Sequence, residues 1–439
     1  TGLSCARYLH SRGLTFRVMD TRQVPPGIEE LRQQFPDIMV HTGGFNEEWL
    51  TVADELVISP GIPLSEPAID RAIHQGAVAV GDIELFCREV NRRLTERPLV
   101  AITGSNGKST VTTLVGEMIR ESGLTPGVGG NIGTPALDLL DREGVDAYVL
   151  ELSSFQLETT DSIRATAATV LNVTPDHMDR YATLADYHKA KQRIYRGCAT
   201  AVFNRDDPLT SPLLPVTAGA TTFSSRVPDL GQMGLLVDGD GTWLCRGLEK
   251  RVNASQMRLK GRHNQLNALA AMALGEAIGL EADAMVRAII HFSGLPHRCQ
   301  WLAEYQGVNW FNDSKATNVG AAVAAIEGLG EGLDGQIVLI AGGDGKGADF
   351  SELKPAVAKH VSHLVLIGRD ASQIEEAVDG VSKVHHVGSL EEAVRVAGGV
   401  SGSGDAVLLA PACASFDMFN SFEHRGEQFA ERVGEWCRC

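Results

Sequence analysis

At 439 residues the chain is longer than the roughly 250–300 residues that one hydrophobic core usually supports, so several domains are expected. Hydrophobic residues at 44% and charged residues at 21% give the balance of a globular protein, and no apolar run reaches the roughly 18–20 residues that a bilayer-crossing helix needs. A net charge of −16 argues against a general nucleic-acid binder, which requires a basic surface, but leaves room for anionic substrates held by local lysines, arginines and helix N-termini.

The eight cysteines are scattered, and Cys87 lies in the apolar run "IELFCREV". Cys437 and Cys439 form a C-x-C with no second pair to complete a zinc site. Reduced thiols in a cytoplasmic protein are therefore expected.

In chain order, "TGLSCARYLHSRG" reads as the end of a glycine turn followed by its helix, with a strand expected before it. "TFRVMD" (15–20), "ELVISPG" (55–61) and "AVAVGD" (77–82) are strand-like and alternate with amphipathic helices, the pattern of a parallel sheet. "NRRLTERP" (91–98) is a polar linker. A second α/β unit follows, with strands near 99–103, 147–152 and 168–173. Segment 215–260 is patterned for a small antiparallel sheet at one edge, and 261–280 for a helix. A third unit begins after "GLPHRCQ" (294–300), with strands at 309–313, 336–343, 363–368 and 406–412.

Candidate chemistry sits at the strand ends. "TGSNGKST" runs from strand through glycines into a helix, and is two residues shorter than G-x-x-x-x-G-K-[ST], whose first glycine would fall on Ile102. Free backbone N–H groups and the positive helix end still suit phosphate, with Lys108 reaching it and the Ser109 hydroxyl placed for Mg²⁺. The bland alternative is a helix N-terminus with an exposed lysine. In "YVLELSSFQLE", Glu151 and Ser153 fall at a strand's C-terminal end, where ligands gather in parallel sheets. Glu151 reads as a magnesium ligand or as the partner of a nearby lysine. In "ATVLNVTPDHMDRY", His177 follows the next strand, with Asp176 and Asp179 beside it. By spacing alone, Lys189 and Lys191 of "YHKAKQRIY" read as solvated surface lysines. "FNDSKATNVGA" crowds Asp313, Ser314, Lys315 and Thr317 after a strand. "AGGDGKGADF" adds Lys346, and "APACASFDMFNSFEHRG" adds Ser415 and Phe422; each taken singly could be a polar loop.

Together, "TGSNGKST", "GDIELFCRE", "GGNIG", "ELSSFQLE", "DHMDRY", "LPHR", "NDSKATN", "GGDGK" and "APACASFDMF" resemble the Mur ligases, ATP-dependent amide-bond-forming enzymes of peptidoglycan synthesis, and within them the branch that adds D-glutamate. The short loop matches the family form TG-[ST]-NGK-[ST], which accounts for the two missing residues.

The resemblance implies three α/β domains: Rossmann-like (1–95), a central P-loop ATPase-like domain with a small side β-sheet (96–296), and a C-terminal Rossmann-like domain (297–439). It implies ATP bound by Gly104, Asn106, Gly107, Lys108, Ser109 and Thr110, with Asn264, Arg298, Asp313 and Lys315 completing the site. Asn267 shares the adenine-contacting motif "GRHNQLNAL" with Asn264. Two Mg²⁺ ions are implied, one on Ser109 and Glu151, the other on His177 and supported by Lys191 carrying CO₂ as a carbamate. Lys108, His177 and Lys191 are then the catalytic residues. The nucleotide sugar UDP-N-acetylmuramoyl-L-alanine would meet Thr1, Asp20, Thr21, Arg22, Ser59 and Gly61, with Asn131, Ser153 and Gln156 near its muramoyl part. D-Glutamate would meet Thr317, Lys346, Ser415 and Phe422. Nothing in the chain demands more than a monomer. The competing readings are a folylpolyglutamate synthase-like ligase and a non-catalytic UDP-sugar-binding protein of the same fold.

Overall fold

The computed structural model describes residues 1–93, 97–178 and 180–438. The linker residues 94–96, with the 95/96 boundary they carry, Asp179, and Cys439 of the C-x-C lie outside the described residues. Chain packing yields two compact units, 1–252 with 266–289, and 253–265 with 290–439. The helix Arg262–Ala277 begins in one and continues into the other.

The first unit opens with two parallel strand pairs, β1 (Val18–Asp20) with β2 (Val40–Thr42), and β3 (Glu55–Val57) with β4 (Val78–Val80). The strands are three residues long, which is why only part of each expected run is extended, and β2 carries no alternation to announce it. The unit then builds a nine-stranded sheet from β5 (Leu99–Thr103), β6 (Pro126–Gly130), β7 (Ala147–Glu151), β8 (Ala167–Val170), β9 (Thr200–Asn204), β10 (Gly219–Phe223), β11 (Met233–Asp238), β12 (Gly241–Arg246) and β13 (Glu249–Asn253). Their order is β13-β12-β11-β10-β9-β8-β5-β7-β6. Strands β5 to β10 pair in parallel, and β5 and β7 are buried along their whole length, as sheets covered on both faces require. The small antiparallel sheet expected over 215–260 is an extension of this sheet. Strand β10 meets β11 at the pairing Phe223↔Met233, after which β11 and β12 form an antiparallel hairpin.

The second unit carries a six-stranded sheet: β14 (Gln300–Tyr305), β15 (Val308–Asn312), β16 (Ile337–Gly342), β17 (Val361–Ile367), β18 (Lys383–His386) and β19 (Ala406–Leu409), ordered β14-β15-β19-β16-β17-β18. Alternate residues serve opposite cores. Ile337 and Leu339 join Leu364, Leu366 and Leu408 on one face, while Val338 and Ile340 join Val365, Val407 and Leu409 on the other. The helices Val319–Gly330 and Leu353–His360 cover the first face, and Leu390–Val400 and Phe422–Trp436 the second. The seven described cysteines are free thiols.

Candidate active site

In the first unit, β6, β7, β5 and β8 are neighbours, and their C-terminal ends carry Asn131, Glu151, the phosphate loop and the His177 loop in that order. Four motifs spread over 74 residues of sequence are thus placed along one edge by sheet order.

The phosphate loop is held from below. Ser105 N–H donates to the Asn172 carbonyl, and the Ser105 hydroxyl lies 3.0 Å from the Thr174 carbonyl and 3.2 Å from the Tyr187 hydroxyl. Asn172 closes on Asn106 through both its amide groups. Gly107 takes φ 82, a left-handed turn that starts the helix Lys108–Glu121 without a side-chain cap of its own, and the positive end of that helix suits an incoming anion. Ser109 and Thr110 lie in that first turn, and Asn267 sits against Gly107.

Two lysines meet at one carbonyl. Lys108 Nζ donates to the Gly104 and Ser105 carbonyls at 2.9 and 2.8 Å. Lys191 Nζ donates to the same Gly104 carbonyl at 2.8 Å, is 1% exposed, and lies 4.4 Å from the Tyr187 ring centroid. Its expected surface position is therefore wrong: Lys189 is exposed, but the helix Leu184–Gln192 turns Lys191 inward. Burial, reinforced by the nearby Lys108 charge, pulls the Lys191 ammonium down to about 7, so a neutral amine is accessible near physiological pH.

Glu151 is 2% exposed. One carboxylate oxygen accepts from the Asn131 amide at 2.7 Å, and the other is buried without a hydrogen-bond partner among the described residues. Such an oxygen is costly to leave unmatched, and a cation beside it would satisfy it. Gly130 makes this approach possible, since a Cβ at its φ of 101 would collide with the Glu151 carbonyl. Ser153 and Gln156 form a capping box at the helix Ser154–Glu158, and Gln156 is buried. His177 takes φ 55 and packs 4.8 Å from the Phe155 ring centroid. Among the described residues no three His, Cys, Asp or Glu side chains converge as a ready-made metal cluster.

In the small N-terminal strand pairs, Asp20 and Arg22 are paired with each other at 2.6 Å, which holds the Asp20 carboxyl below its usual range. Thr1, Thr21, Ser59 and Gly61 are exposed.

In the second unit, β15, β19 and β16 are neighbours, so their ends gather Asp313, Lys315 and Thr317, then Ser415, then Lys346. Reciprocal backbone hydrogen bonds between Asp344 and Ala414 stitch two of these loops together. Arg425, 1% exposed, fastens the third by donating to the Ser314 hydroxyl and carbonyl and to the Cys413 carbonyl. Burial raises the Asp313 carboxyl to about 6, against a smaller opposing pull from hydrogen bonding and Arg298. Lys315 lies over the Phe422 ring and Lys346, at φ 53, over Phe416. Asn264 belongs to this unit and donates to the Lys260 carbonyl, whereas Asn267 belongs to the first. Sequence reasoning passed over Asn172, Tyr187, Phe155, Arg180 and Arg425, because each acts through a partner remote in sequence. The only local signal is their position after strand ends or opposite a motif residue on a helix.

Comparison with known proteins agrees along the whole chain. Three family models match: the Mur ligase MurD-like N-terminal domain (residues 1–81), the Mur ligase middle domain (102–275) and the Mur ligase glutamate ligase domain (297–413). Proteins named UDP-N-acetylmuramoylalanine--D-glutamate ligase are similar. That of Pseudomonas aeruginosa is 52% identical over 435 residues, covering 99% of this chain and 96% of its own. That of Nitrosococcus oceani is 51% identical over 439 residues, covering 100% and 95%. Among solved structures, UDP-N-acetylmuramate-alanine ligase from Thermotoga maritima shares the fold with a TM-score of 0.56 at 18% identity, over 99% of this chain and 97% of that one. The MurF ligase of Thermotoga maritima, solved in complex with ADP, gives 0.53 at 17%, over 88% and 99%.

Proposed function

This chain belongs to the Mur ligase family, and from that premise we propose that it joins D-glutamate to UDP-N-acetylmuramoyl-L-alanine at the expense of ATP, in peptidoglycan precursor synthesis. The observation that supports the chemistry best is the convergence, along one sheet edge, of a glycine-led helix N-terminus, a carboxylate oxygen buried without a partner among the described residues, an imidazole and a buried lysine.

The alanyl carboxylate is a poor electrophile with a poor leaving group, and transfer of the γ-phosphoryl group to it as an acyl phosphate corrects both. ADP leaves in that transfer; the free amine of D-glutamate then attacks, and the tetrahedral intermediate loses a proton and collapses to amide and phosphate. Lys108 and the N–H groups at the start of its helix would hold the phosphates, and move onto them from the Gly104 and Ser105 carbonyls. Gly104, Asn106 and Gly107 shape the loop; Ser109 and Thr110 face the phosphate from the first turn. Asn264, Arg298, Asp313 and Lys315 are assigned to ATP, and Thr317, Lys346, Ser415 and Phe422 to D-glutamate. Thr1, Asp20, Thr21, Arg22, Ser59, Gly61, Asn131, Ser153 and Gln156 are assigned to the nucleotide sugar. Gln156 would serve it from a buried position already engaged in the helix cap.

Magnesium would supply charge neutralisation where anion meets anion. The unpartnered oxygen of Glu151 fits one ion, with Ser109 beside the phosphates; His177 is assigned to the second. Lys191, depressed to about 7, can carry CO₂ as a carbamate and exchange its positive charge for a negative one. The domain limits 1–95, 96–296 and 297–439, and a cytoplasmic monomer, are part of the same reading; no helix among the described residues is long and apolar enough to cross a membrane.

The test is phosphate release from ATP. It is expected only when both UDP-N-acetylmuramoyl-L-alanine and D-glutamate are present. Release with L-glutamate and a folate, or no turnover with any set, would overturn the reading.

A further inference from the structure

We propose that Arg180 is a positioning residue that braces the loop Ser59-Pro60-Gly61 against the ring carrying His177, so that the nucleotide-sugar site and the imidazole are set by one side chain. The inference rests on the functional reading of Ser59, Gly61 and His177 given above.

The Arg180 guanidinium makes three contacts. One guanidinium nitrogen donates to the Pro60 carbonyl at 3.0 Å, and another donates to Glu158 at 2.6 Å. The guanidinium carbon lies 4.4 Å from the Phe155 ring centroid. Both ends of the ion pair are largely buried, with 13% and 19% of the side chains exposed. At this depth the pair is not a screened surface contact.

Phe155 transmits the placement. Its ring meets both Arg180 and His177, whose own ring is 4.8 Å away. His177 sits at φ 55, uncommon for a non-glycine residue, and its packing on Phe155 helps to hold it there. The Tyr187 ring contacts His177 in turn, and its hydroxyl reaches Ser105 of the phosphate loop. A continuous series of contacts therefore runs from Pro60 to the phosphate loop. Further fastenings of the N-terminal segment, among them those from Ser4 and Arg7 to Asp138, from Arg88 to Glu55 and from Gly81 to the Thr159 carbonyl, do not involve Arg180. Arginine is the residue this brace needs: its planar fork donates to carbonyl and carboxylate while its face stacks on a ring, which an ammonium cannot do.

The experiment compares wild type with Arg180→Met, Arg180→Lys and Glu158→Gln. Affinity for UDP-N-acetylmuramoyl-L-alanine is measured by calorimetry without ATP or magnesium, then kcat and each KM. Loss of one buried charge-assisted contact predicts an affinity for the nucleotide sugar about 10-fold weaker in Arg180→Met. The KM for ATP stays within about twofold, because the phosphate loop keeps its own clasp. Arg180→Lys recovers little, and Glu158→Gln shifts the same parameters in the same direction while retaining the fork. Unchanged nucleotide-sugar affinity in Arg180→Met would overturn the proposal. So would a parallel loss in all parameters that lysine fully restores, which marks a merely structural role. A wild-type chain that binds the nucleotide sugar but does not ligate would sink the catalytic reading instead, and the binding measurements would still decide the role of Arg180.

Discussion

Replacing Lys191 with methionine should stabilise the fold at neutral pH while abolishing ligation. Lys191 is 1% exposed, and burial next to Lys108 lowers it from an ordinary 10.5 to about 7. Between those values the unfolded chain holds a proton that the folded chain does not, so wild-type stability rises with pH across that window. Below about 7 both states are protonated and the full cost of the buried cation is present. At about 1.4 kcal/mol for each tenfold change, the interval amounts to about 5 kcal/mol for the ammonium form, an upper figure because the fold can relax around the charge. Methionine keeps the stem and removes the charge, although the Gly104 carbonyl loses a donor, which returns about 1 kcal/mol. Urea unfolding of both proteins in CO₂-depleted buffer at pH 6.5, 8 and 9.5 is the assay. The two curves should converge toward pH 9.5, with the variant several kcal/mol more stable at pH 6.5. Parallel pH profiles for the two proteins would refute the argument that Lys191 is held near 7.

Asp313 should show the opposite sign. Its carboxyl is raised to about 6 by burial, so the fold retains a proton that the unfolded chain has lost, and stability falls as pH rises from about 4 to 6. Asp313→Asn should therefore be more stable at pH 7 by as much as about 3 kcal/mol and lose ATP-dependent turnover; a lower urea midpoint than wild type would count against it. Gly130→Ala forces a Cβ against the Glu151 carbonyl at φ 101, and should cost at least about 2 kcal/mol together with most activity, read by thermal unfolding and phosphate release. Glu151→Gln keeps the shape of the side chain, so its melting temperature should stay near wild type. Its rate should drop at least about 100-fold and respond weakly to added magnesium; wild-type magnesium dependence would contradict the ligand assignment.

The sequence determined a great deal here. Glycines at 104 and 107 followed by Lys108 and Ser109 dictate a strand, a turn and a helix N-terminus, because only that backbone frees several N–H groups at one point. The apolar runs of β5, β7, β16 and β19 announce buried parallel strands, and the structure buries all four throughout. Short elements were less legible: β1, β3 and β4 fill only three residues of their expected runs, and β2, also three residues long, shows no alternation that would announce it.

Tertiary structure alone decided the rest. Lys189 and Lys191 are two residues apart on one helix, and nothing local says which is buried; the packing of the helix Leu184–Gln192 against the phosphate loop does. The order β6-β7-β5-β8 places Asn131, Glu151, Lys108 and His177 side by side, although the chain visits those strands in another order. Likewise β19 slips between β15 and β16 and brings Ser415 between Thr317 and Lys346. Residue types set what chemistry each strand end can perform, but which ends become neighbours is fixed by non-local pairing, which no short window of sequence encodes.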